Sequence, residues 1–272
     1  MSKNINVSII GKPNVGKSTI FNKLVGSNLS KVSDISGTTV YPINSAKKYN
    51  DLNINLIDLG GLKKKSKSHS DKQKLITNET LLQLKKTDLV FFVIDGSDDI
   101  TKNDKQLFRL ILNKLKDVIV IVNKTDLIQE NLKKKERYFK YFFEKNYPNI
   151  LLKPLFISAI KTVKKEFLEK KIFEIFQKSL ILIENKTVNK AMQDILEKHQ
   201  PVFSKKSRPQ IKFLKHVNSK PMIFKAFGTK LTSLSKDYKN YFLKQLLSKL
   251  KIFNQIVVIK YIDNKNPYSK HL

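Results

Sequence analysis

A chain of 272 residues has room for one domain of ordinary size and a smaller second one, each with a core of its own. It has no cysteine, which excludes disulfides, cysteine-ligated zinc and thiol nucleophiles, and its longest apolar run, Leu89 to Ile94, falls far short of the roughly 18 residues that a bilayer crossing needs. The net charge is +30, but 50 of the 53 basic residues are lysine, so its distribution says more than its size: residues 186–272 carry 19 Lys/Arg against four acids, while the first 185 residues carry the same +15 at half the density.

In chain order, "INVSII" (5–10) predicts a first buried strand, and "GKPNVGKST" follows it directly and opens the helical pattern "TIFNKLV". Gly11 and Gly16 allow this loop to wrap phosphates with backbone N–H groups, Lys17 reaches the β and γ oxygens, and the Ser18 hydroxyl suits Mg²⁺. Lys12, Pro13, Asn14, Val15 and Thr19 complete the nucleotide-binding loop; the competing reading is a plain glycine turn between strand and helix. "SDISGTT" (33–39) supplies a threonine for Mg²⁺ and for sensing the γ-phosphate, and Thr39 is preferred to Thr38.

The next strand, "INLID" (54–58), runs into "DLGG". Asp58 at a strand end can hold Mg²⁺ through water and the Gly61 N–H can meet the γ-phosphate, with Leu59, Gly60 and Leu62 alongside. The lysines that follow (Lys63, Lys64, Lys65, Lys67) form either a solvated loop or a switch segment that touches RNA phosphates. "DLVFFVID" (88–95) and "DVIVIVN" (117–123) are further strands, and the second ends in "NKTD". There Asp126 can accept both guanine N–H donors, Asn123 can tie this loop to the phosphate loop, and the Lys124 stem can cover the base, with Thr125 completing the turn. The aromatics of "RYFKYFF" (137–143) read as a helix face packed on the sheet, the alternative being that they stack on bases. "LLKPLFISA" (151–159) predicts the fifth strand, placing the backbone of Ser158 and Ala159 near the guanine oxygen, and an amphipathic helix over 162–184 closes the domain. Strands without polar alternation, separated by helical patterns, mean an α/β domain with a mostly parallel sheet.

From 186 onward the order changes to helix (189–199), two short strands (211–217 and 222–228), helix (236–250) and strand (255–262), an α+β module around a three-stranded sheet. It has no Gly-x-x-Gly clamp of the kind that grips a nucleotide backbone in RNA-binding KH domains.

Through these motifs the chain resembles the translation-factor-like GTPases, and within them the Der (EngA) family. "SDISGTT", the basic run after "DLGGL" and "VIDGSDDITKNDKQL" look like the second GTPase domain of Der proteins, and 210–262 resembles their KH-like domain. The resemblance implies a P-loop GTPase domain over 1–184 and a small α+β KH-like domain over 186–272, with GTP or GDP and Mg²⁺ as ligands. It further implies hydrolysis of GTP in a cytoplasmic, monomeric switch protein of ribosome biogenesis, with ribosomal RNA and large-subunit (50S-type) precursors as partners and no membrane span. Der proteins usually carry two GTPase domains, whereas these residues hold one.

Leu62 stands where small GTPases place a water-orienting glutamine, and Arg109 and Arg137 fall in helical patterns far in sequence from the phosphate corner. By the family likeness, Asn14, Ser33, Ile35 and Thr38 would surround a K⁺ ion that neutralises developing charge as an arginine does, or Asn14 only hydrogen-bonds within its loop. Lys17, Asn14, Thr39 and Gly61 are thus the residues expected to act on the reacting phosphate. The alternatives are an Era-like small-subunit factor, disfavoured by the missing Gly-x-x-Gly, and a GTP-binding protein attached to anionic membrane by its lysines.

Overall fold

The structure, a computed structural model, describes residues 3–26, 43–58, 81–128, 131–161, 163–202 and 208–263. The chain divides into two compact units, one of Met1–Phe142 with Leu152–Phe176 and one of Phe143–Leu151 with Gln177–Leu272.

The first unit contains β1 (Lys3–Ile10), α1 (Lys17–Val25), β2 (Ile43–Tyr49), β3 (Leu52–Asp58), β4 (Leu89–Asp95), α2 (Lys102–Asn113), β5 (Asp117–Asn123), β6 (Leu155–Phe156) and most of α3 (Leu132–Asn146) and α4 (Lys165–Lys178), whose last residues count to the second unit. They build one six-stranded sheet in the order β2-β3-β1-β4-β5-β6. Five strands are parallel and β2 pairs antiparallel with β3 at the edge. β1 and β4 lie at the centre, and nearly every residue of β4 and its neighbour β5 is buried, as expected for strands covered on both faces. Val7, Leu56, Phe91, Val93 and Ile121 of the sheet pack with Ile20 and Leu24 of α1 and Leu168 and Ile172 of α4 in one core. The strand order reverses at β1, with β2 and β3 on one side and β4 to β6 on the other, and α/β folds bind ligands at the carboxyl ends of the strands at such a reversal.

Two features of this unit differ from the sequence expectation. β2 was not anticipated, since "INSAKKY" is mostly polar; its pairing with β3, from Ile43↔Asp58 to Tyr49↔Leu52, makes it a strand, and edge strands tolerate polar residues. The fifth parallel strand covers only Leu155–Phe156 rather than 151–159, because Pro154 has no N–H to donate to β5, and Leu151 packs into the core of the second unit. In α3, Phe139 and Phe143 are buried, and the Phe139 ring meets that of Phe156 at 5.9 Å, while Tyr138 and Tyr141 face solvent.

The second unit adds α5 (Asn185–Lys198), β7 (Gln210–Ser219), β8 (Met222–Thr229), α6 (Lys236–Lys249) and β9 (Val257–Asp263). The sheet runs β7-β8-β9, with β7/β8 antiparallel and β8/β9 parallel. One face of it packs on α5 and α6 through Leu214, Phe224, Ala226, Val188, Ile195, Phe242 and Leu246.

The helix expected over 162–184 ends at Lys178, and β7 explains the early end. The backbone N–H of Ile183 donates to His216 Nδ1 at 2.9 Å, and Ser219 Oγ donates to the Ile181 carbonyl at 3.1 Å, so side chains of the sheet take the backbone groups that a longer helix would use. Asn189 of α5 performs a related task. Its amide donates to the Leu214 carbonyl at 2.8 Å and accepts from the Leu214 N–H at 2.9 Å, fixing helix to strand.

Candidate nucleotide-binding site

At the carboxyl end of β1 the chain turns through residues 11–16 into α1. Gly11 is required because a Cβ there would lie 2.2 Å from the Val93 carbonyl oxygen of β4. Gly16 is required twice over: its φ is +95°, and a Cβ would lie 2.2 Å from Asn123 Nδ2. Gly16 is also the N-cap of α1 and offers no side-chain cap, so the first-turn N–H groups and the positive end of the helix dipole are left to a ligand anion. Asn14 sits exposed with φ +64°. Lys17 Nζ donates to the Lys12 carbonyl at 2.6 Å, which folds its ammonium over the loop. Ser18 is exposed in the first turn beside it.

The base end is built from the carboxyl ends of β5 and β6. Asn123 is 2 % exposed and its one side chain joins three segments: Nδ2 donates to the Val15 carbonyl at 2.9 Å and Oδ1 accepts from the Ala159 N–H at 2.8 Å. Lys124 adopts φ +62°, and this left-handed turn brings the Thr125 N–H to the Ile157 carbonyl at 3.2 Å. Asp126 is exposed at the rim, and the Ser158 hydroxyl is the main cause that holds its carboxyl below the usual carboxylate range. Ser158 and Ala159 are buried beneath it. An ionised acceptor at the rim, with a backbone loop behind it, is the chemistry that recognises two adjacent N–H donors.

Two acidic residues that sequence reasoning did not single out brace the site. Asp95, at the end of β4 and in register with Asn123, accepts from Lys124 Nζ at 2.6 Å and from Ser97 Oγ at 2.6 Å. Burial works against its ionised form, but these donors outweigh it and its pKa is lowered. Asp104 is buried at the start of α2, caps Thr101 in a capping box, and meets Lys12 Nζ of the phosphate loop at 3.0 Å. The pattern Thr-x-x-Asp ahead of an apolar helix was a usable signal for Asp104. For Asp95 the strand-end position was the only one.

The structure thus brings together 11–19, 123–126 and 158–159. Asp58 is the last residue of β3, at the same end of the sheet. Ser33, Ile35, Thr38, Thr39, Leu59, Gly60, Gly61, Leu62 and the lysines after it lie outside the described residues. No helix among the described residues is long and apolar enough to cross a membrane.

Two protein families match this chain. "50S ribosome-binding GTPase" matches residues 6–124, and "KH-domain-like of EngA bacterial GTPase enzymes, C-terminal" matches residues 183–261. Among curated proteins, GTPase Der of Buchnera aphidicola from Acyrthosiphon pisum is 32 % identical over 98 % of this chain, and GTPase Der of Rickettsia prowazekii is 29 % identical over 97 %. The chain spans 58 % and 60 % of the length of these two relatives. Among solved structures, an Era variant from Aquifex aeolicus bound to GDP and aluminium fluoride superposes with a TM-score of 0.50 at 21 % identity, covering 96 % of this chain and 93 % of that one, a likeness of fold. With a P-loop GTPase fold and a KH-like module after it on the same chain, the protein is similar to the GTPase Der (EngA) family over nearly its whole length.

Proposed function

We propose that the chain is a GTP-binding and GTP-hydrolysing switch that acts in ribosome biogenesis, on precursors of the large subunit, with a GTPase domain over 1–184 and a KH-like domain over 186–272. The observation that carries the nucleotide reading is Asn123, which binds the phosphate loop at Val15 and the base loop at Ala159 with one buried side chain. The residues 11–19 hold the phosphates and 123–126 with 158–159 hold guanine. The Ser18 hydroxyl, with Asp58 and Thr39, supplies hard oxygen donors of the kind Mg²⁺ takes, and Asn14 supplies one toward K⁺ with Ser33, Ile35 and Thr38. Bound there, the cations supply positive charge against the phosphate oxygens; the chain's own part is to orient the phosphates through Lys17 and the loop N–H groups. The ribosomal part of the reading is supported by the two family descriptions and by the low acid content of residues 186–272.

The base reading is tested with Asp126→Asn. It should weaken GTP binding at least about a hundredfold and favour xanthosine triphosphate, whose C2 oxygen accepts where guanine donates. Unchanged GTP affinity refutes it. GTP turnover should rise severalfold in K⁺ over Na⁺ and lose that gain in Asn14→Ala, and equal rates in both salts remove the K⁺ site. For the partner, cell extract is sedimented with GDP or a non-hydrolysable GTP analogue. Comigration with large-subunit precursors is expected, comigration with small-subunit particles would assign an Era-like role, and failure to follow any particle refutes the ribosomal reading.

A further inference from the structure

The sheet of the second unit has one face covered by α5 and α6 and another whose residues point the other way. Register identifies the latter: Phe213, Phe227 and Ile262 form one cross-strand row, and Lys215, Lys225 and Lys260 form the next. Lys215 and Lys260 are exposed, Lys225 is half-buried, and Phe213 is 40 % exposed although it is a large apolar ring on a surface. A bulge between Ile211 and Phe213 sets this arrangement. By placing one extra residue at Lys212, it keeps Ile211 in the core opposite Gly228 while turning Phe213 outward to meet the Phe227 ring at 6.4 Å.

Three lysines side by side across three strands, about 4.8 Å from one strand to the next, are an unfavourable choice for stability, since like charges in direct cross-strand positions repel. No carboxylate among the described residues compensates. The acid of β9, Asp263, pairs in register with Gly228 of the covered face, and its carboxylate is taken by Leu231 and Thr232. The face therefore presents a positive row and an adjacent aromatic row. A second copy of the chain would set the same lysine row against itself. A single-stranded nucleic acid has the complementary pattern, with phosphates along one edge and bases able to stack along the other.

We infer that the outer face of β7-β8-β9 is a binding site for single-stranded RNA, in which Lys215, Lys225 and Lys260 hold phosphates and Phe213, beside Phe227, stacks a base. The inference rests on the reading of this unit as RNA-binding and gives that reading a surface other than a Gly-x-x-Gly loop. Recognition is by backbone charge and stacking, so it is tolerant of sequence and steep in salt.

The test uses the full chain and a short fluorescein-labelled single-stranded RNA, followed by fluorescence anisotropy over a range of salt. The triple variant Lys215→Gln, Lys225→Gln, Lys260→Gln should lose tenfold or more in affinity and reduce the slope of log affinity against log salt by about 2, at roughly 0.7 per phosphate contact. Phe213→Leu, which keeps an apolar side chain, should weaken RNA binding about fivefold to a hundredfold and leave heparin binding unchanged. The triple variant should unfold at the same temperature as the parent or higher, because the repulsion is relieved, so a loss of binding is not a loss of fold. A parent that binds RNA with both variants binding equally well overturns the proposal for this face and leaves the RNA reading standing. A parent that binds no RNA removes both. Capture of the parent but not the triple variant by phosphatidylserine vesicles, with RNA binding unchanged, assigns the face to a membrane and overturns it as well.

Discussion

In the first unit the polar side chains of the site are held by fixed partners: Asn123 by the backbone of Val15 and Ala159, Lys17 by the Lys12 carbonyl, and Lys12 by the carboxylate of a buried Asp104. In the second unit the side chains held by backbone partners, Asn189 and His216, fix the helix and the incoming chain to β7, while the lysines of the outer sheet face project from the strands with no carboxylate among the described residues beside them. The difference follows from the ligand each surface suits. A small nucleotide rewards donors fixed to within a fraction of an ångström before it arrives. A flexible polyanion is held by charge and stacking, which tolerate loose side chains on a rigid platform.

The comparison breaks most sharply at Gly16. Gly16→Ala puts a methyl group at a position with φ +95° and against Asn123 Nδ2, and nucleotide affinity measured by titration of a fluorescent GDP should fall about a hundredfold. An affinity within a factor of about two of the parent would mean that the loop is not fixed before the ligand binds.

Asn123→Ala and Asn189→Ala test whether the two units respond separately. The first leaves the Val15 carbonyl and the Ala159 N–H without their shared partner in a buried place and should cost about 3 kcal/mol in the unfolding transition of the first unit. The second releases both backbone groups of Leu214 and should cost about 2 kcal/mol in that of the second unit. Chemical denaturation followed by hydrogen exchange resolves the transitions, and a shift of both in either variant would show that the units unfold together.

The smallest effect concerns His216. It is buried and stacked on Phe224 at 4.7 Å, and its Nδ1 accepts from Ile183 while Nε2 faces the Asn218 carbonyl at 2.9 Å. Burial lowers its pKa, with the Asn218 bond opposing, so the folded state favours the neutral ring. The unfolded chain, with an ordinary value near 6.5, then binds the extra proton first, so the stabilisation is complete above about pH 6.5 and is lost as pH falls through it. The transition of the second unit should weaken as the pH falls from about 7.5 to about 5.5, and His216→Gln should flatten that dependence. A dependence that survives the substitution would place the proton elsewhere.

Much of the first unit was legible because its constraints are local. The phosphate loop and "NKTD" are short runs in which each residue type answers a backbone or ligand requirement a few residues away, and buried parallel strands announce themselves by apolar composition. β2 was not legible because its partner, not its composition, makes it a strand. Asp95 and Asp104 escaped because their roles depend on Lys124 and Lys12, which only the folded sheet brings near them. In the second unit the order of elements could be read, but the lysine row could not. Three lysines at 215, 225 and 260 share a face only once the register and the bulge at Lys212 are known.

The single side chain of Asn123 has a consequence for how a nucleotide is gripped. Since it braces the loop under the phosphates and the loop behind the base with one amide, neither half of the pocket can relax without disturbing the other. Guanosine and triphosphate offered as separate molecules would each have to order a framework that serves both, whereas joined in one molecule they pay for that ordering once. On the proposed function, such a pocket would act as a chelator, selective for the intact nucleotide over its fragments.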